Sequence, residues 1–369
     1  MLRFALRNLW HEKVRLFTSV GGVAAALVLV LILEGAYAGS AGQMVAYIEK
    51  SDAEVWVMQE GVSNMHMATS VVPVSKAQQI GEVAGVEAVT PIVYISNVVK
   101  ANGREWFSYV VGLPQDAASG GPWAMTAGQP NPRVGEVIVP QLLAEKGGVS
   151  IGQFVTLFGK DFRVVGLSKG TFSLVNSITF LAYEDLEQLL AMPGAASYFL
   201  VQVQAGIRPE QLASRIGAEV SGVNAVTKKS LAAADRIMTR QMGVDIIQLV
   251  SLIGLVTGGL VIGFTVYAAT VRRSKEYGIA RALGAKLRHL FGIVVLQALV
   301  IALLSGSAAI ALAFLARLLV SNLAPEVPLA YPPSGLARIG IIVFGIAVVA
   351  AVAPAYRVAR ADPATVFRE

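Results

Sequence analysis

A chain of 369 residues that is 55% hydrophobic and only 15% charged, with a mean hydropathy of +0.62, is too apolar for an ordinary soluble globular protein. Its formal net charge of +6 gathers beside apolar runs. It does not form a contiguous basic face interleaved with aromatics, so a membrane surface is indicated and nucleic acid is not. Cysteine is absent, which removes disulfides and thiolate metal sites from consideration.

In chain order, residues 1–16 carry Arg3, Arg7, Lys13 and Arg15 and read as a cytoplasmic amphipathic segment. Residues 17–38 form the first apolar stretch, with Glu34 as its only charged side chain. A basic start followed by an apolar middle also describes a secretory signal peptide. The run exceeds the ~7–15 residues usual there, and a retained helix crossing a bilayer core of roughly 30 Å is expected.

Residues 39–235 then read as one folded insertion. Short β-branched runs recur at Glu54–Met58, Ala88–Lys100, Trp106–Gly112, Glu136–Val139, Phe154–Phe158, Phe162–Gly166, Ser177–Ala182 and Phe199–Gln204. Helical windows intervene at Ser75–Val83, Gln141–Gly147, Tyr183–Ala191 and Pro209–Val220, the last two with acidic first turns. The alternation predicts a small α+β domain, with a loop-rich part from Gly120 to Pro132.

Further apolar stretches follow at 244–271, 289–319 and 336–356. The third span of the chain is long enough to need tilt, a kink near Ser305, Gly306 and Ser307, or an extension beyond the bilayer. Between the second and third lies the basic island 272–288, where Arg272, Arg273, Lys275, Arg281, Lys286 and Arg288 face a single Glu276. The loop at 320–335 has no Lys or Arg, while the tail 357–369 carries Arg357, Arg360 and Arg368. By the positive-inside rule both termini and the 272–288 loop are cytoplasmic and the 39–235 domain is extracytoplasmic. The predicted fold is an α-helical membrane protein with four transmembrane helices and one extracytoplasmic α+β domain inserted between helices 1 and 2.

Catalytic signatures are missing. Gly284 and Lys286 do not complete a phosphate-wrapping Walker loop, and Lys169 lacks the spacing. His11, His66 and His289 are the only histidines, and no Glu-x-x-His or His-Glu-x-x-His arrangement holds them. A nucleophile elbow is also lacking. We therefore expect no catalytic residue, no metal site and no cofactor on this chain. Small residues Gly254, Gly258, Gly259 and Gly263 recur at four-residue spacing in the second span, a weak signal for close helix approach between two copies.

The basic island resembles the signature of FtsX/MacB-type ABC transporter permeases. Glu276, Gly278, Ile279, Arg281, Ala282, Leu283, Gly284 and Ala285 fall in the family's order. Pro354, Arg357, Arg360, Asp362, Pro363, Phe367 and Arg368 match its closing motif, and Arg3 to Trp10 resembles its N-terminal amphipathic helix. The stand-alone layout is similar to the DevC-like and heme-exporter-like branches. The resemblance implies a homodimer that recruits two copies of a separate ABC ATPase, with ATP and Mg on that partner. It further implies that Glu276, Tyr277, Gly278, Ile279, Arg281, Ala282, Leu283 and Gly284 form the coupling helix seated on the ATPase. Alternatively, the island serves only to fix topology.

The same resemblance implies export of a hydrophobic or amphipathic molecule (heme, a macrolide or peptide, or a lipid-like compound) from a bacterial cytoplasmic membrane, with a periplasmic adaptor or other extracytoplasmic protein as a further partner. The alternative is an FtsX-like mechanotransmitter that regulates an external partner and moves no substrate. Glu34 is a candidate substrate anchor or iron ligand, or else a carboxylate near enough to the interface to reach water. Met65, His66 and Met67 are candidates for heme or a soft metal, or else a partly exposed loop.

Overall fold

The computed structural model describes residues 13–173, 175–272, 279, 285–352 and 356. They form two compact units, one of 40–243 with 324–328 and one drawn from the rest of the chain.

The extracytoplasmic unit begins where helix α1 (Lys13–Met44) ends and the short α2 (Ala46–Lys50) follows. Its first lobe consists of β1 (Val55–Gln59), α3 (Lys76–Gly81), β3 (Val86–Ala101), β11 (Tyr198–Val203), α6 (Pro209–Glu219) and β12 (Val223–Thr227). The strands lie in the order β12-β1-β11-β3 and every neighbouring pair is antiparallel. That is a βαββαβ, ferredoxin-like arrangement. Strand alternation explains the unbroken apolar reading of β1. Val55 and Val57 pack with Ile80, Leu212 and Ile216 beneath the two helices, while Trp56 and Met58 enter a second core with Tyr47, Ile92, Tyr198 and Leu200. A strand buried on both faces carries no polar face. Helix α6 starts with Pro209 at its first turn, where a missing N–H costs nothing.

The second lobe is inserted between β3 and β11. It contains β4 (Arg104–Leu113), β5 (Met125–Gly128), β6 (Glu136–Pro140), α4 (Gln141–Gly147), β7 (Phe154–Leu157), β8 (Lys160–Ser168), β9 (Ile178–Ala182) and α5 (Tyr183–Leu190). Strands β3, β4, β9, β6, β8 and β7 pair in turn, and β7 returns to β3 through Lys100 and Thr156, closing a ring. Val99, Val110, Val137, Val155, Leu157, Phe162, Val164 and Leu181 fill its core. Strand β3 belongs to both lobes: Val86–Ile92 pairs with β11 and Val93–Ala101 with β4. Two short strands, β2 (Val72–Pro73) and β10 (Ala195–Ala196), pair beside it.

All eight predicted strands and four predicted helices are present, with ends shifted by a few residues. The sequence reading passed over β2, β5, β10 and β12. β5 sits in the segment read as loop, where Gly128 adopts φ +82° against the Val165 carbonyl, a place without room for a Cβ.

In the membrane unit, three helical stretches are long and apolar enough to cross a bilayer among the described residues: Leu16–Met44, Arg288–Leu323 and Pro333–Ala350. They lie in α1, α8 (Leu287–Leu323) and α9 (Pro333–Ala350). The expected second span falls in α7 (Lys228–Arg272), whose apolar stretch Leu252–Ala268 is shorter. α8 runs as one helix through Ser305, Gly306 and Ser307. Small residues line the contacts, with Ala24, Ala298, Ala302, Ala309, Ala313 and Ala347 buried among Leu27, Val266, Val294 and Val343.

Candidate functional site

In the extracytoplasmic unit, the loop after β1 is drawn inward instead of standing free. Asp235, on the second turn of α7 and 1% exposed, accepts the backbone N–H groups of Met65 (3.0 Å) and His66 (3.4 Å). Its other oxygen lies 3.2 Å from His66 Nδ1. A carboxylate only accepts, so the proton is assigned to Nδ1, and Nε2 accepts a hydrogen bond from the Tyr94 hydroxyl 3.2 Å away. The imidazole is 7% exposed and meets the Tyr109 ring edge-on at 5.0 Å. Tyr94 stacks on Tyr109 at 5.1 Å, and Phe107 meets Tyr109 edge-on. Burial raises the phenol pKa values of Tyr94, Tyr109 and Tyr198, and the Asp235 charge pushes each in the same direction.

Of the three residues proposed for heme or a soft metal, Met65 is buried, His66 lies between the Tyr94 hydroxyl and the Asp235 carboxylate, and Met67 is exposed. Metal ligation by His66 would require displacing Tyr94 or Asp235. Among the described residues there is no group of three or more His, Asp or Glu arranged to hold a metal ion. Residues 65–67 form a partly exposed loop in which Met65 is buried and the Asp235 carboxylate accepts the N–H groups of Met65 and His66. Asp235 stands 169 residues from His66 in sequence, and nothing local marks the pairing.

Glu34, in the membrane unit, lies 2.9 Å from the Arg338 guanidinium on α9. Arg338 is a cation at the edge of the fourth apolar stretch, a signal that was visible in the sequence and not weighed. Beside it the Gly35 carbonyl accepts the N–H of Ala330, and the absent Gly35 side chain makes room for the Tyr331 ring. The small residues of the second span face neighbours of the same chain. A Cβ on Gly254 would collide with Val30, one on Gly259 with Ile346, and one on Gly263 would touch Ala350 at 3.5 Å; Gly258 faces open space. Of the coupling residues, Ile279 is helical and exposed, whereas Glu276, Tyr277, Gly278, Arg281, Ala282, Leu283 and Gly284 lie outside the described residues.

Residues 16–219 match the MacB-like periplasmic core domain and residues 249–363 the FtsX-like permease C-terminal domain. The chain belongs to the FtsX/MacB family of ABC transporter permeases. Two uncharacterized ABC transporter permeases of Mycobacterium tuberculosis are each 24% identical over all of this chain and 99% of their own length. A macrolide export ATP-binding/permease protein MacB of Hyphomonas neptunium is 23% identical over 96% of this chain and 58% of its own length. The periplasmic region of MacB from Actinobacillus actinomycetemcomitans superposes with a TM-score of 0.39 at 10% identity, covering 51% of this chain and 94% of that one. This protein is thus a membrane-embedded permease with an extracytoplasmic domain, and its class implies an ATPase partner.

Proposed function

We propose that this chain is the membrane subunit of an exporter, delivering ATP-driven motion from two copies of a separate ATPase to a hydrophobic or amphipathic cargo at the outer face of the membrane. In this reading the chain crosses four times, keeps both termini in the cytoplasm and works as a homodimer. The segment around Glu276–Gly284 docks on the ATPase, with Arg281 supplying charge-assisted hydrogen bonds.

The observation that supports this most is α7. It is one helix of 45 residues, about 68 Å at 1.5 Å per residue. Near one end Leu231, Ala232 and Asp235 are built into the extracytoplasmic core; farther along, Ile262 and Val266 are built into the membrane core. A helix that contributes side chains to both cores supplies the mechanical route this reading requires. The Glu34–Arg338 pair, which joins α1 to α9, offers an amphipathic molecule a polar contact.

The test is ATP hydrolysis by the purified permease–ATPase complex in lipid, titrated with heme, a macrolide and a lipopeptide. Stimulation by one of these is expected, and Glu276→Ala or Gly284→Trp should abolish the stimulation while leaving membrane insertion intact. Failure of all three to stimulate or bind, with Glu34→Ala causing no loss of cellular tolerance, overturns the export reading. A mechanotransmitting role is the second reading. It is favoured by the exposed apolar side chains Val134, Ile151 and Phe154 of the second lobe. Capture of an extracytoplasmic protein lost on Phe154→Glu, without any cargo, would establish it.

A further inference from the structure

Between β3, α5 and the loop after β1, the extracytoplasmic unit holds a cavity of about 200 Å³. Its lining includes Met65, His66, Tyr94, Tyr109, Glu187 and Met192. Glu187 is the single charged side chain on that lining, and no Lys or Arg reaches it. Besides the neutral hydroxyls of Thr69, Ser70, Ser96 and Ser197, the lining carries a carboxylate, tyrosine rings and two thioethers, and its single formal charge is negative. His66, with a side chain only 7% exposed, forms part of the wall and carries the buried Asp235 carboxylate behind it. That negative field reaches Tyr109 and Tyr198, where it adds to burial in holding the phenols protonated. Of the lining residues, Val71 and Met192 are exposed apolar side chains; Met67, next to His66 in the chain, and Phe107, edge-on to Tyr109 at 5.0 Å, are exposed as well.

From this we propose that the cavity binds the cationic head of an amphipathic organic cation, a protonated or quaternary amine whose apolar body lies on the Met67, Val71, Phe107 and Met192 rim. At about 200 Å³ the space is below the roughly 300–1,000 Å³ of sites that swallow a drug-sized molecule, so it suits a head group and leaves the body outside. An anion finds no counter-charge there and meets both Glu187 and the field of Asp235. A cation finds Glu187, tyrosine rings and sulfur atoms within reach. The proposal rests on the extracytoplasmic unit alone and holds whether or not the protein exports anything.

The experiment is calorimetric titration of the full chain in lipid nanodiscs with benzyltrimethylammonium, and with benzylsulfonate as an anion of similar size. Saturable binding of the cation is expected, with the anion at least about tenfold weaker. Glu187→Gln keeps an acceptor for the Gly194 N–H, which Glu187 accepts at 2.7 Å, and so spares the fold. It should weaken the cation about tenfold, the size of one charged contact. Met192→Lys, at an exposed rim position, should abolish binding with the unfolding temperature unchanged. Equal binding of anion and cation, no binding of the cation, or wild-type affinity in Glu187→Gln each overturns the assignment.

Discussion

The membrane unit and the extracytoplasmic unit solve the same packing problem with opposite means. In the membrane unit, contacts are made by taking atoms away. Gly254, Gly259, Gly263 and a set of buried alanines let helices approach, and Glu34–Arg338 is a polar pair between α1 and α9. In the extracytoplasmic unit, large side chains fill two-faced strands, and specificity comes from a buried polar knot at Asp235. Without a hydrophobic drive between helices, shape alone must choose partners in lipid. In water the hydrophobic drive is unselective, and buried polar groups that accept one arrangement select among packings.

The contrast breaks first at Asp235. Asp235→Ala removes the acceptor of the Met65 and His66 N–H groups and the carboxylate beside the His66 ring, and the extracytoplasmic unit should lose about 3–5 kcal/mol in denaturant unfolding. A loss under about 1 kcal/mol would mean the knot is not the organising contact. On the membrane side, Gly254→Leu forces a side chain into Val30 and should cost about 1–3 kcal/mol in thermal unfolding from detergent. Gly258→Leu, directed at open space, is the control and should be near neutral. Equal effects at the two positions would remove the small-residue explanation.

A smaller effect is expected at Arg338. Arg338→Gln leaves Glu34 without its guanidinium, and with Arg338 60% exposed the loss should be about 1 kcal/mol, read by the same melt. Charge reversal of both residues should recover most of it. Smallest is Lys146–Glu326, an ion pair at 2.6 Å within the extracytoplasmic unit. The hydrogen bond from Lys146 holds the Glu326 carboxyl below its ordinary pKa of 4.5. A folded-state pKa below the unfolded one stabilises above the unfolded value and is lost as pH falls through the folded value. Lys146→Met should therefore cost about 0.5 kcal/mol at pH 7 and progressively less as pH falls below 4.5, with pH 3 as the low point of the series. A loss undiminished at pH 3 would assign the effect to the lysine stem instead.

How much of this was legible follows the same division. Strand runs such as Glu54–Met58 and Ala88–Lys100 declared themselves because β-branched residues repeat between turns. β12 did not, since Val223, Asn224, Ala225, Val226 and Thr227 give only a short, interrupted run whose place is set by pairing with β1. Acidic residues near the start of α5 announced a helix, but Asp185 turned out to accept the Gly135 N–H, a tertiary role that no local pattern carries. Its carboxyl is raised by burial, against that hydrogen bond. His66 stood out as a rare residue, and its partner Asp235 stayed hidden because contact across 169 positions leaves no periodic trace. Glu34 was conspicuous in an apolar run. Arg338 was equally visible, and only the fold joined the two.

Strand β3 has a consequence of its own. Its 16 residues serve the four-stranded lobe with the first half and the closed ring with the second. The amides of one half therefore have no opening route that spares the other, and Trp56, Ile138 and Phe180 share a core that crosses the same divide. Deuterium uptake along Val86–Ala101 should follow one time constant, so that both lobes release their protons together or not at all. A mechanical load applied to either lobe is then borne by the backbone of both.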